Sequence, residues 1–92
     1  MVGGGWLLPQ AKELLQAVPE GTSIASLRIW DLKSDGSSSF ACVDKSWPKR
    51  PFEPNRHWRK RTIRRAVAFL RNLNWQGEGQ PLIEIELLEL AK

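Results

Sequence analysis

Positively charged side chains are concentrated in one part of this 92-residue chain. Ten of its fourteen Lys and Arg residues lie between Lys45 and Arg71, and the same stretch contains a single acid, Glu53. The rest of the chain holds four basic and nine acidic residues, so the formal net charge of +4 conceals a polarised chain. Such a separation of charge indicates a polyanionic partner for the basic stretch.

The basic stretch has the pattern of a long helix over residues 55–74, with Asn55 as its N-cap residue. Several cations crowd the first turns, where the helix dipole disfavours each by roughly 0.3–1 kcal/mol and favours a bound anion. Other cations share the arc opposite the apolar residues, with no acid within helical reach. We therefore predict binding of nucleic acid, DNA or RNA, through its phosphate backbone. The candidate contact residues are Lys49, Arg50, Arg56, Trp58, Arg59, Lys60, Arg61, Arg64 and Arg65.

Aromatic residues lie among these cations, and each has two interpretations. Trp58 and Phe69 are on one edge of the apolar arc of the helix, where they either stack on bases beside arginines or widen the core face. Trp47 and Phe52 fall in a proline-rich connector over residues 47–54. They are either exposed contacts or anchors that hold the connector to the core.

Two further hypotheses keep the basic face but give it a different role. In the first, the chain is an adaptor or inhibitor that docks this face on an acidic protein surface, since Arg and Trp often dominate such interfaces. In the second, the face is ordinary solvated surface, and Glu84, Glu86 and Glu89 neutralise some of its cations.

Enzymatic chemistry has one weak candidate. Asp31-Leu32-Lys33 has the acid-x-lysine spacing of a superfamily of metal-dependent nucleases, with Asp44 across a hairpin as a second carboxylate. In that superfamily the first acid precedes this element, whereas Asp44 follows it, so Glu13 or Glu20 would have to supply the missing ligand.

Other catalytic and metal-binding groups are scarce in the sequence. His57 is the single histidine and has no evident nucleophile or orienting partner, and one cysteine with one histidine cannot form a structural zinc site. Cys42 alternates with Phe40 in a predicted strand and is expected to be a small buried residue. We expect a non-enzymatic protein without a cofactor or metal.

Length and composition place the chain among small globular proteins. The length allows one small domain. Hydrophobic residues make up 41% and charged residues 26% of the chain, which is typical of a globular protein. No run approaches the roughly 20 apolar residues of a membrane span, and no signal-peptide pattern is present. The single cysteine excludes an internal disulfide. We expect a cytoplasmic protein that does not bind a membrane.

The predicted fold is α+β, with the order α-β-β-α-β and a three-stranded, mostly antiparallel sheet packed by two helices. A flexible N-terminal segment over 1–8 precedes a single domain over 9–92. Such a sheet has two open edges and its third strand is long and partly apolar, which favours a homodimer formed by edge pairing or by face packing. Besides the long helix, the predicted elements are a helix over 9–18 and strands over 23–33, 38–45 and 82–90.

Overall fold

The computed structural model describes residues 5–90, with residues 38–43 described by their backbone alone. It confirms an α+β fold with two helices and an antiparallel sheet. Within the described residues, neither helix has the length and apolar character that crossing a membrane requires. In chain order, the elements are β1 (Trp6–Leu7), α1 (Leu8–Leu15), β2 (Thr22–Leu32), β3 (Ser38–Ser46), α2 (Asn55–Arg71) and β4 (Gln80–Glu89).

The sheet has four strands in the order β1-β4-β2-β3, one more than predicted. The additional strand is β1, in which Trp6 pairs with Ile83 and Leu7 with Leu82. Two residues are too few to show an alternating pattern, so they fell within the predicted flexible segment over 1–8. Gly5 permits this close approach, since a Cβ there would overlap the Leu82 side chain. Residues 1–4 of that predicted segment lie outside the described residues.

The position of β4 bears on the predicted homodimer. β4 lies between β1 and β2 and pairs with β2 from Gln80 to Glu89, so it is not the free edge strand that the sequence suggested. Edge pairing through this strand would have to displace β1. Dimerisation stays a prediction, and the longer edge strand of the sheet is β3.

The core lies between one face of the sheet and the two helices. Ala11 and Leu15 of α1 meet Leu70 of α2 over the central strands. The strand side of this core consists of Ile24, Leu27, Ile29 and Ile83. Strand side chains alternate between faces, so the residues between them point away from the helices.

Helix α2 is rotated slightly from the predicted orientation. Its buried line is Trp58, Thr62, Ala66 and Leu70, whereas Ile63 and Val67, which the helical spacing placed within the core arc, are only half-buried. A hydrogen-bond network stabilises this orientation of α2. The Thr62 hydroxyl donates to the Arg59 carbonyl at 3.0 Å, accepts the Ile24 N–H at 3.3 Å and lies 2.9 Å from Ser23 Oγ.

Both ends of α2 differ from the prediction. The N-cap residue is Pro54, not Asn55, and no side-chain hydrogen bond caps the N-terminus of the helix. The amide oxygen of Asn55 instead accepts a hydrogen bond from Lys49 Nζ. The helix ends at Arg71, three residues before the predicted Asn74.

Candidate nucleic-acid interface

The outer side of α2 and the connector before it form a surface groove, here called the basic groove. One wall of the groove is a single face of α2, because positions 57, 60, 61, 64, 65 and 68 follow one another at helical spacing. The connector supplies the opposite wall through Arg50 and Glu53. The groove has a volume of about 540 Å³ and is lined by Arg50, Glu53, His57, Lys60, Arg61, Arg64, Arg65 and Ala68.

Arg61 is tied to the single acid of this groove. Its Nε lies 2.9 Å from Glu53 Oε2 and its Nη2 lies 2.8 Å from Glu53 Oε1, which is a bidentate ion pair. The same Nη2 donates to the Pro48 carbonyl. The hydrogen bonds from Arg61 and from the backbone of Arg50 lower the pKa of Glu53 from 4.5 to about 2. Arg61 is therefore a structural clamp, and the acid that neutralises it comes from the connector and not from within helical reach on α2.

Trp58 and Arg59 are also unsuited to the contacts that the sequence suggested. Trp58 is only 7% exposed and its Nε1 donates to the Trp47 carbonyl at 2.7 Å, so its ring cannot stack on a base. Arg59 Nη2 donates to the Val18 carbonyl at 2.8 Å, which ties α2 to the turn after α1. Both residues support the fold, and neither belongs to an open binding surface.

The remaining candidates form an accessible cationic surface. Arg56, Lys60, Arg64 and Arg65 are exposed, and none of them takes part in an ion pair among the described side chains. Lys49 and Arg50 are exposed on the connector beside them. Six cations of the predicted set are thus open to a partner.

The acids of β4 do not neutralise this surface. Glu84 lies 3.6 Å from Arg28, which also approaches Asp44 at 3.5 Å, and Glu86 accepts a hydrogen bond from Ser26. These residues alternate with core residues and therefore lie on the sheet face opposite the helices. Glu89 is exposed and forms none of the ion pairs found within the described part of the chain.

The two aromatic residues of the connector have different environments. Trp47 is half-buried and packs against the core, so it anchors the connector. Phe52 is fully exposed and has a positive φ of 63°. It follows Pro51 in a turn closed by a hydrogen bond of 3.1 Å from the Glu53 N–H to the Arg50 carbonyl. This is the pattern of a type II turn, in which the third position normally holds Gly or Asn.

A second groove adjoins the basic groove and is here called the aromatic groove. Arg65 and Ala68 line both grooves, so one surface continues into the other. Lys45 Nζ lies 5.9 Å from the centroid of the Phe69 ring, within the range of a cation–π contact. The aromatic groove has a volume of about 460 Å³ and is lined by Lys45, Trp47, Arg65, Ala68, Phe69, Asn72, Leu73 and Asn74.

Sequence reasoning left open whether Phe52 is exposed, and it missed this second groove. The Arg50-Pro51-x-Glu53 spacing carried a turn signal that could have revealed the first. No comparable signal existed for the second, because the groove joins the end of β3 to the last turns of α2.

The Asp31-x-Lys33 element has a structural explanation. Asp31 accepts hydrogen bonds from the Gly79 N–H at 2.7 Å, the Glu78 N–H at 3.2 Å and Lys33 Nζ at 3.1 Å. Although burial raises the pKa of Asp31, these hydrogen bonds together bring it below its usual value. The carboxylate holds the loop before β4.

Asp44 does not join Asp31 in a metal site. Asp44 pairs in register with Arg28, three residues from Asp31 along β2, so the two carboxylates lie on opposite faces of the sheet. Glu13 is exposed on α1 and Glu20 is exposed in the turn after it, so neither completes the set. Within the described residues, no group of three or more potential metal ligands is present. The geometry thus gives no support to the nuclease hypothesis.

His57 and Cys42 are the two other residues with reactive side chains. His57 is exposed and lines the basic groove, where it can contribute a hydrogen bond to an anion. The side chain of Cys42, predicted to be buried, lies outside the described side chains.

The chain matches no protein-family model, no curated protein and no solved structure.

Proposed function

We propose that the protein is a non-catalytic nucleic-acid-binding protein that holds phosphates in the basic groove. The observation that carries this proposal is the set of exposed cations without ion pairs along one side of α2. Lys60, Arg64 and Arg65 line the basic groove from α2, whereas Arg56 is exposed on the first turn outside the groove. Lys49 and Arg50 extend the set onto the connector.

Charge separation across the molecule supports the same proposal. The acids Asp44, Glu84 and Glu86 lie on the far face of the sheet, and Glu53 is neutralised by Arg61. A polyanion that approaches the helix side therefore meets little repulsion. Electrostatic steering of this kind raises association rates and weakens as salt increases.

A salt titration tests the proposal. Fluorescence anisotropy with a labelled oligonucleotide should show that the logarithm of the association constant falls linearly with the logarithm of salt concentration. About six phosphate contacts predict a slope near −5. Binding that does not change with salt, or no binding in low salt, would contradict the proposal.

A pair of double variants separates the basic groove from net charge. Arg64→Gln with Arg65→Gln should weaken binding and reduce the magnitude of the slope by about 2. Lys12→Gln with Arg71→Gln removes the same charge from a different surface patch, between α1 and the end of α2. This control should change the slope much less. Equal effects of the two double variants would argue against a defined site in the basic groove.

An adaptor that docks on an acidic protein surface is the second candidate. The exposed Phe52 beside Arg50 favours it, since aromatic and Arg side chains are enriched at protein interfaces. A nucleic-acid-binding protein should co-purify with material that absorbs at 260 nm and release it in high salt. An adaptor should purify without such material and retain a protein partner in a pull-down.

A further inference from the structure

We infer that the bound nucleic acid is single-stranded, with phosphates in the basic groove and unpaired bases stacked on Phe52 and in the aromatic groove. This inference rests on the proposed function and names its ligand more narrowly. It is drawn from two aromatic sites that adjoin the basic groove at different residues. One is the turn that contains Phe52, and the other is the groove that contains Phe69.

Phe52 has the features of a contact residue and none of a packing residue. Its side chain is fully exposed, so it contributes no core burial. Its left-handed backbone is unfavourable for any residue with a Cβ. The turn is nevertheless held rigidly, because Glu53 bonds the Arg50 N–H at 3.0 Å as well as the Arg61 guanidinium. The clamp therefore presents an aromatic ring to solvent directly beside Arg50, which lines the basic groove.

The aromatic groove continues the same surface at Arg65. Arg65 and Phe69 are four residues apart on α2, which places their Cβ atoms about 5–6 Å from each other. One nucleotide can thus place its phosphate at Arg65 and its base at the groove. Trp47 adds a second aromatic wall, and the exposed amide of Asn74 can bond the edge of a base.

Duplex nucleic acid would leave these aromatic sites unused. In a duplex, each base is stacked between its neighbours and its faces are inaccessible, so a protein meets mainly phosphates and groove edges. In a single strand, aromatic side chains stack on exposed bases, and each such contact changes affinity by about 5- to 150-fold. Cations interleaved with aromatic residues are the combination that single-strand binding uses.

The test compares three ligands of equal length, about 12 nucleotides, which is within the site sizes of single-strand binders. They are a single strand, the corresponding duplex and a single strand whose central nucleotides are abasic. We expect the single strand to bind at least about 5-fold more tightly than either of the others. Phe52→Ala and Phe69→Leu should each weaken single-strand binding by about 5-fold or more while leaving the abasic ligand unaffected.

A matched control is Leu88→Ala, which removes an exposed apolar side chain on β4 outside both grooves and should leave all affinities unchanged. Circular dichroism confirms that each variant is folded, and Phe52→Ala is informative by itself because the residue makes no core contact. Equal affinity for the three ligands, or preference for the duplex, overturns the single-strand inference and leaves phosphate binding standing. Binding to none of them overturns the proposed function as well.

Discussion

Arg61 and Glu53 form a bidentate ion pair that joins helix α2 to the connector, with nitrogen–oxygen distances of 2.8 and 2.9 Å. Both side chains are largely shielded from solvent. The pair removes one cation from the binding surface, but it also fixes the turn that presents Phe52 beside the basic groove. The geometry of the proposed site thus depends on two groove residues whose charges neutralise each other.

Glu53→Gln should reduce the stability of the protein at neutral pH. It should also make that stability less sensitive to a fall in pH. The pKa of Glu53 falls from 4.5 to about 2 on folding, so the stabilisation is complete above pH 4.5 and is lost as the pH falls through 2. Thermal unfolding of both proteins should show a difference in midpoint that shrinks across this window. A difference that stays constant from pH 6 to pH 2 would show that the carboxylate does not stabilise the fold in its ionised form.

Phe52→Gly should stabilise the protein by about 0.5–1 kcal/mol while weakening ligand binding. Glycine relieves the left-handed strain, part of which is offset by the greater freedom of glycine in the unfolded chain. Because Phe52 is fully exposed, no packing is lost. Phe52→Ala retains the strain and should not stabilise, so urea unfolding of the two variants isolates the backbone effect. Equal stability of the Gly and Ala variants would contradict this account.

Thr62→Val should destabilise the protein by about 1–3 kcal/mol in urea unfolding, although it preserves side-chain volume. The change leaves the buried hydroxyl of Ser23 and the Ile24 N–H without their partner. The double variant Ser23→Ala, Thr62→Val should lose less stability than the sum of the two single losses. Thr62→Val already leaves the Ser23 hydroxyl without its partner, and Ser23→Ala removes that hydroxyl. A Thr62→Val protein as stable as the parent would refute the role given to this network.

Gly79→Ala should destabilise the protein by about 1–3 kcal/mol, because a Cβ would overlap the Leu32 carbonyl and lie 2.6 Å from Asp31 Oδ1. Asp31→Asn should also lower the unfolding midpoint, since the carboxylate bonds two backbone N–H groups of the same loop. Both changes disturb the same loop, so the destabilisation of the double variant should be less than the sum of the two single effects. Strict additivity would show that Asp31 stabilises something other than this loop.

Much of the fold follows from local sequence patterns. Alternating residues such as Leu27 and Ile29 predicted β2, and the helical spacing of Ala66 and Leu70 predicted the core side of α2. β1 was not predictable, since two residues carry no period and their pairing with β4 spans most of the chain. The same limit applies to the rotation of α2, which depends on Thr62 finding Ser23, 39 residues away.

The concentration of cations between Lys45 and Arg71 is evident from the sequence alone, because charge and helical spacing are local properties. Which of these cations are accessible to a partner depends on the folded structure. Arg59 and Arg61 have the same chemistry as Arg64 and Arg65, yet the first two bond Val18 and Glu53 while the others face solvent. An arginine finds a partner within the protein only where the folded chain brings an acceptor within reach, and that depends on long-range packing that no local pattern records.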